Sequence, residues 1–187
     1  MSAQPPGATA RRVRLLFGAA LILRLSALLV LAPHRSTFSR GAWDFGHEAA
    51  CLGQSLWLGH GFGDPWAHGT GPSSWLTPPY PALLATLMEV FGGIDRWMAL
   101  TLFVLQSIAS AATCALLVRL GDNLGARAAG WWGGILLALY PPGILDAVSV
   151  VWDTTFVAFG VVLCLALLTR PGAFARPSRV EIGRAHV

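Results

Sequence analysis

Residues 80–92 read YPALLATLMEVFG, and whether this apolar run crosses a membrane or lies along it decides the fold. A helix that crosses the hydrocarbon core needs about 20 apolar residues at about 1.5 Å each. This run is shorter than that, carries Glu89 and has polar flanks on both sides. It is expected to be an interfacial helix lying along the membrane.

Working outward, four longer stretches meet the length requirement: residues 12–32, 97–119, 127–145 and 147–169. The expected fold is therefore all-α and membrane-embedded. It has about four spans, plus one or two interfacial helices in a long first outer loop over residues 33–96. Composition agrees. The chain is 55% hydrophobic and 12% charged, against roughly 25% charged in soluble domains, and its mean hydropathy is +0.59.

The formal charge of +4 comes from arginine alone, since the chain contains no lysine. With four spans and a cytoplasmic N-terminus, Arg11, Arg12, Arg14, Arg119, Arg127, Arg170, Arg176 and Arg179 fall inside. Only Arg35, Arg40 and Arg96 fall outside. A fifth span through residues 80–92 would move Arg119 and Arg127 outside and break the positive-inside bias. Because the arginines flank apolar spans, orientation accounts for them and nucleic acid is not implied. Arg24 interrupts the first apolar stretch, which is too long for a signal-peptide core and is read as an uncleaved helix. The three cysteines, Cys51, Cys114 and Cys164, are scattered and show neither a disulfide framework nor a CxxC site.

The same topology gathers acid on the outer face. Asp44, Glu48, Asp64, Glu89, Asp95, Asp146 and Asp153 fall there or at the membrane edge, and only Asp122 falls inside before the final residues. Carboxylates close to lipid are costly and call for a reason. Asp44 and Glu48 stand i, i+4 in a short helix expected to run to about Leu58, so they are expected to share one face. Such a pair suits general acid–base chemistry. Asp44 as a helix cap and Glu48 as a solvated acid is the plainer alternative. Arg24, deep in the first span, is expected to pair with a carboxylate of another helix, and Asp153 is the candidate. Arg96 is placed to meet a lipid phosphate or to pair with Asp95. Trp66, Trp75 and Tyr80 suit either a headgroup belt or a wall on which a sugar stacks. His47, His60 and His68 share the loop without an HExxH-like spacing, so no metal site is assigned.

The pattern over Asp44–Gly61 and Thr70–Pro81 is an acidic loop helix, a Gly59-His60-Gly61-Phe62 turn, then Pro78-Pro79-Tyr80-Pro81 opening the interfacial helix. It resembles the N-terminal region of multi-spanning GT-C glycosyltransferases that use polyprenyl-phosphate sugars. The nearest branch is the bacterial glycosyltransferase 39/RgtA-like group, related to protein O-mannosyltransferases and aminoarabinose transferases. The resemblance implies transfer of a sugar, at the outer face of the bacterial inner membrane, to a glycan, lipid or protein acceptor. It places the catalytic acid at Asp44, with Glu48 as partner or replacement; members commonly carry an adjacent Asp-Glu, which here is split. Arg96, Arg24, Tyr80 and Trp75 become candidate substrate contacts. No cofactor is implied with certainty, and a divalent cation remains an option. A transporter and a non-catalytic membrane scaffold are the competing classes. Residues 181–187, EIGRAHV, spell one frame of a common short-read sequencing adapter. The native sequence is therefore expected to end near Val180, with residues 1–180 forming the N-terminal part of a larger membrane domain that is inactive alone.

Overall fold

The computed structural model describes residues 7–31, 41–66, 69–74 and 76–170, and these are helical throughout apart from turns and one isolated bridge between Gly63 and Pro72. Seven helices follow in order: α1 (Gly7–Leu31), α2 (Ala42–Trp57), α3 (Pro79–Phe91), α4 (Arg96–Asn123), α5 (Arg127–Leu139), α6 (Pro141–Ser149) and α7 (Thr154–Leu168). The longest, α4, is the mast of the bundle and packs against α1, α3, α5, α6 and α7. α2 and α3 pair with each other at one end. There Phe45, Leu84, Met88, Met98, Leu102, Phe103 and Val148 share one apolar cluster. A second cluster at the opposite end joins Val13, Leu16 and Ala20 of α1 to Cys114 and Val118 of α4 and Ala138 of α5.

Local chemistry sets the helix ends. The Asp95 carboxylate accepts the Met98 N–H at 2.7 Å and caps α4. It is thereby committed to the backbone, and Arg96 lies instead over the Trp97 ring at 5.0 Å, so the expected Asp95–Arg96 pair does not form. α3 starts on prolines and ends at Gly92, whose φ of 75° is the left-handed conformation that lets the Gly93 N–H reach the Met88 carbonyl at 2.8 Å. A helix is thus present where one was expected over residues 80–92, as α3.

Among the described residues, only α1 and α4 are long and apolar enough to cross a membrane unaided. The stretch expected as one span over residues 127–145 is two helices, α5 and α6, bent by 56°. The stretch expected over 147–169 is interrupted: residues 147–149 end α6, and helix resumes only at Thr154. The described chain therefore offers two spans, or three if the bent pair counts as one, and α7 alone is short of the hydrocarbon thickness. The bend has a direct cause. Pro141 and Pro142 have no N–H, so the carbonyls of Leu137 and Ala138 lose their i+4 donors.

Arg24 supplies the missing donors. It is completely buried, and its five N–H groups meet five acceptors. Nη2 donates to Leu137 O at 3.4 Å and Nη1 to Ala138 O at 3.5 Å. The others reach Ser110 Oγ at 2.8 Å, Ala20 O at 3.2 Å and Cys114 Sγ at 3.7 Å. The expected pairing with Asp153 is therefore replaced. The C-terminal end of α5, carrying partial negative charge, stands where a carboxylate was expected. α4 treats the other short helices alike. Gln106 donates to the carbonyls of Asp146 and Val150 at the end of α6, at 3.1 and 2.9 Å. Asn123 donates to Ala166 O at 3.0 Å near the end of α7.

The outward surface is apolar. Leu29 and Val30 of α1 are 75% and 83% exposed, and Val157, Val161, Leu165 and Leu168 line one side of α7. In water such a surface would be unfavourable over its whole area; facing lipid it needs no partner. α4 and α5 meet through glycine. A Cβ on Gly130 would lie 2.7 Å from Gly121 Cα and 2.7 Å from the Leu117 carbonyl, both main-chain atoms that cannot rotate away. Gly130→Val is expected to destabilise the bundle by about 1–3 kcal/mol. Gly133→Ala, with nothing within 4 Å of the added carbon, should leave stability unchanged. Unfolding in mixed micelles measures both, and equal losses would show that the glycine contact does not hold α4 to α5.

Candidate functional site

The described carboxylates divide by what they do. Asp64 Oδ1 accepts the Gly71 N–H at 2.8 Å and closes the loop hairpin. Glu89 Oε2 accepts the indole N–H of Trp57 at 2.9 Å. Asp95 caps α4, and Asp122 pairs with Arg127 at 3.5 Å. Asp44, Glu48, Asp146 and Asp153 have side chains with no hydrogen bond or ion pair among the described residues. Three of these four lie on α2 or on the crevice that Ala49 of α2 lines with Asp153, and the candidate site is placed there.

That place is built on a break in α2. The helix is interrupted at Gly46 and His47, the latter at φ 44°, ψ −135°. A non-glycine residue with positive φ carries strain, of order 1–3 kcal/mol, that the surrounding packing must impose. The packing is visible at Gly46, where a Cβ would lie 2.6 Å from Val151 Cγ1. Only glycine lets α2 sit this close to the segment leading into α7. The break corrects the expectation that Asp44 and Glu48 share one continuous helical face, because the chain changes direction between them. It leaves Asp44 exposed and Glu48 half-buried, two environments for two acids.

Beside Asp44 stands an aromatic shelf. The Trp43 ring meets the His47 ring edge-on at 5.3 Å and the Trp66 ring at 5.9 Å. Both tryptophans are more than a third exposed. Across the Gly46–Val151 contact lies Asp153, half-buried, lining a narrow crevice with Ala49, Thr77, Tyr80 and Trp152. The crevice passes Tyr80 into an open groove of about 340 Å³ between α3 and α7, walled by Leu83, Phe156 and Val157. Val157 is 54% exposed on the apolar side of α7, so the groove opens where a lipid chain would lie.

Tyr80 differs from its expected role. It is only 5% exposed, so its ring is no surface platform. It packs on Phe156 at 6.0 Å, and its hydroxyl donates to Gln106 Oε1 at 3.5 Å. Burial, then the negative charge of Asp153, push the phenol up, which keeps it a proton donor at the groove's base. Burial, then Glu48, likewise push the Cys51 thiol up to about 11, so it stays a neutral thiol. Arg24, a candidate substrate contact by sequence, has every donor committed inside the bundle and acts as scaffold. Trp75 lies outside the described residues, as does the 181–187 tail. No group of three or more His, Cys, Asp or Glu side chains suited to a metal lies together among the described residues.

One contributor escaped the sequence reading and another was given the wrong partner. Gln106 was legible as an amide in mid-span, which lipid tolerates only with partners. Asp153 was seen, but with the wrong partner. Set against known protein families, characterised proteins and solved structures, the chain matches none.

Proposed function

We propose that this protein is a membrane glycosyltransferase that moves a sugar from a polyprenyl-phosphate donor to an acceptor hydroxyl or amine at the outer membrane face. One observation carries the proposal: Asp44 is exposed and makes no hydrogen bond or ion pair among the described residues, on the same helix as Trp43 of the Trp43–Trp66 shelf and as Ala49, which lines the crevice leading to the lipid-facing groove. Asp44 removes the acceptor proton as the acceptor atom attacks the anomeric carbon. The bond from that carbon to the donor phosphate oxygen breaks, with inversion. Arg96, exposed and free of Asp95, offsets the charge on the leaving phosphate. The polyprenyl chain lies in the α3–α7 groove and the sugar on the tryptophan shelf. In this reading α1, α4, the bent α5–α6 pair and α7 make four crossings of a bacterial inner membrane, with the N-terminus cytoplasmic. The shortness of α7 is met by local bilayer thinning.

A transporter is the alternative that a broken helix suggests. Here the freed carbonyls are already satisfied by Arg24, which leaves little at the break for a substrate to bind. A diazirine-bearing polyprenyl-phosphate sugar distinguishes the two in native membranes. Labelling at Leu83 or Val157, with polyprenyl phosphate released only when acceptor is present, is the expected result. Movement of intact donor across the bilayer, or labelling confined to residues outside the groove, would defeat the proposal.

A further inference from the structure

The opposite end of the bundle carries a feature that sugar transfer does not use. Two grooves run side by side there, and they share Leu116 and Arg119. The first, about 290 Å³, lies between α1 and α4, with Val13, Phe17, Ala112 and Ala115 as apolar walls and Arg14 at its rim. The second, about 130 Å³, lies between α4 and α7, with Leu163, Ala166 and Leu167 as walls and Arg170 at its rim. Arg119 stands where the two join. Arg14, Arg119 and Arg170 are all exposed and have no ion pair among the described residues. Among the described residues the carboxylate lining these grooves is Asp122, in the second, and it is occupied by Arg127 at 3.5 Å. Arg12 is also occupied, over the Trp131 ring at 5.8 Å. Three guanidinium groups with no ion pair among the described residues therefore surround the mouths of two adjacent apolar channels; Arg14 donates through Nε to Ala10 O at 3.4 Å, which leaves its terminal nitrogens for a ligand.

We infer that this end binds one diacyl anionic phospholipid of the bilayer. Its phosphate sits on Arg119 between Arg14 and Arg170, and its two acyl chains enter the two grooves on either side of Leu116. Charge complementarity selects the occupant. An apolar protein segment would fill the channels but leave the arginines without counter-charge. A single-chain anion would satisfy the arginines but fill one channel. Basic pockets between transmembrane helices are a recurrent way of holding acidic headgroups, and each arginine near such a charge contributes about 1 kcal/mol, or about fivefold in affinity. The bland account is that these arginines serve only to orient the helices, and it predicts no saturable site.

The test uses the full chain in detergent, titrated with dioleoyl phosphatidylglycerol and read by native mass spectrometry and by the thermal midpoint. One saturable lipid and a raised midpoint are expected. Dioleoyl phosphatidylcholine, the single-chain lysophosphatidylglycerol and inorganic phosphate should each bind at least about tenfold more weakly, since each lacks the net charge or one or both chains. Arg119→Gln should weaken phosphatidylglycerol about fivefold or more, while Arg11→Gln, exposed at the same end but lining neither groove, should not. Ala112→Phe fills the first channel with every arginine in place and should also lose the lipid, which keeps the proposal testable if Arg119→Gln fails to fold. Equal weakening by Arg11→Gln and Arg119→Gln would reduce the effect to general surface charge and overturn the site. So would retention of phosphatidylglycerol by Ala112→Phe, or equal binding of the one- and two-chain lipids.

Discussion

In the full-length protein, Asp44→Asn is expected to slow the proposed sugar transfer from a polyprenyl-phosphate donor by about 10²–10⁴-fold, the usual contribution of a positioned general base. Membrane insertion and thermal midpoint should stay as they are. The separation of the two effects follows from the structure. The Asp44 carboxylate makes no hydrogen bond or ion pair among the described residues, so its amide replacement removes a proton acceptor and no stabilising contact. Asp64→Ala should behave in the opposite way, because its Oδ1 holds the Gly71 N–H and its loss loosens the hairpin that carries Trp66. Glu48→Gln decides which acid is the base. Half-buried behind the break in α2, Glu48 as an electrostatic partner should cost less than Asp44; if the order is reversed, Glu48 is the base. A double Asp44→Asn, Glu48→Gln variant that transfers sugar at the normal rate would remove the glycosyltransferase reading of this end of the bundle.

Much of the architecture is legible without coordinates, and the reasons differ by element. α3 is readable because thirteen residues with Glu89 near their end cannot cross a bilayer but can lie on it. α1 and α4 are readable because long apolar runs have few other uses. The bent α5–α6 pair is harder. The apolar runs on either side of Tyr140 to Gly143 together pass for one span, and Pro141-Pro142 marks a kink whose angle depends on what satisfies the freed carbonyls. That partner is Arg24, more than a hundred residues away in sequence. The expected Arg24–Asp153 pair failed for the same reason: a guanidinium seeks acceptors of any kind, and two orphaned carbonyls at a helix C-terminus are acceptors that no residue pattern displays. The candidate site's residues could be named from the sequence, but not their geometry. Spacing placed Asp44 and Glu48 on one face, and it could not foresee that the Gly46–Val151 contact would break the helix between them and bring Asp153 alongside.

Arg24→Met should destabilise the protein by about 3 kcal/mol, and replacing Pro141 and Pro142 by alanine should return at least half of that loss. The first figure comes from what remains behind. Methionine fills much of the volume but donates no hydrogen bond, so the buried Ala138 carbonyl loses its side-chain donor and the Leu137 carbonyl keeps only the long Tyr140 N–H contact at 3.4 Å, at about 1–3 kcal/mol for each group left unsatisfied. Removing a charge from a low-dielectric interior offsets part of that cost. The rescue comes from backbone chemistry. Alanine at 141 and 142 restores the two N–H groups that an uninterrupted helix aims at Leu137 O and Ala138 O, so α5 and α6 become able to satisfy themselves. In the Arg24 background the same alanines should help little or harm, because the guanidinium then competes for carbonyls already in use. The coupling between the two changes should therefore be about 2 kcal/mol and favourable, measured by a double-mutant cycle of unfolding in mixed micelles. Additive effects would mean that Arg24 is held by Ser110, Ala20 and Cys114 alone and that the bend stands without it. Arg24→Lys separates charge from geometry: a single ammonium keeps the positive end near α5 but cannot reach acceptors on α1, α4 and α5 together. It should recover only part of what methionine loses.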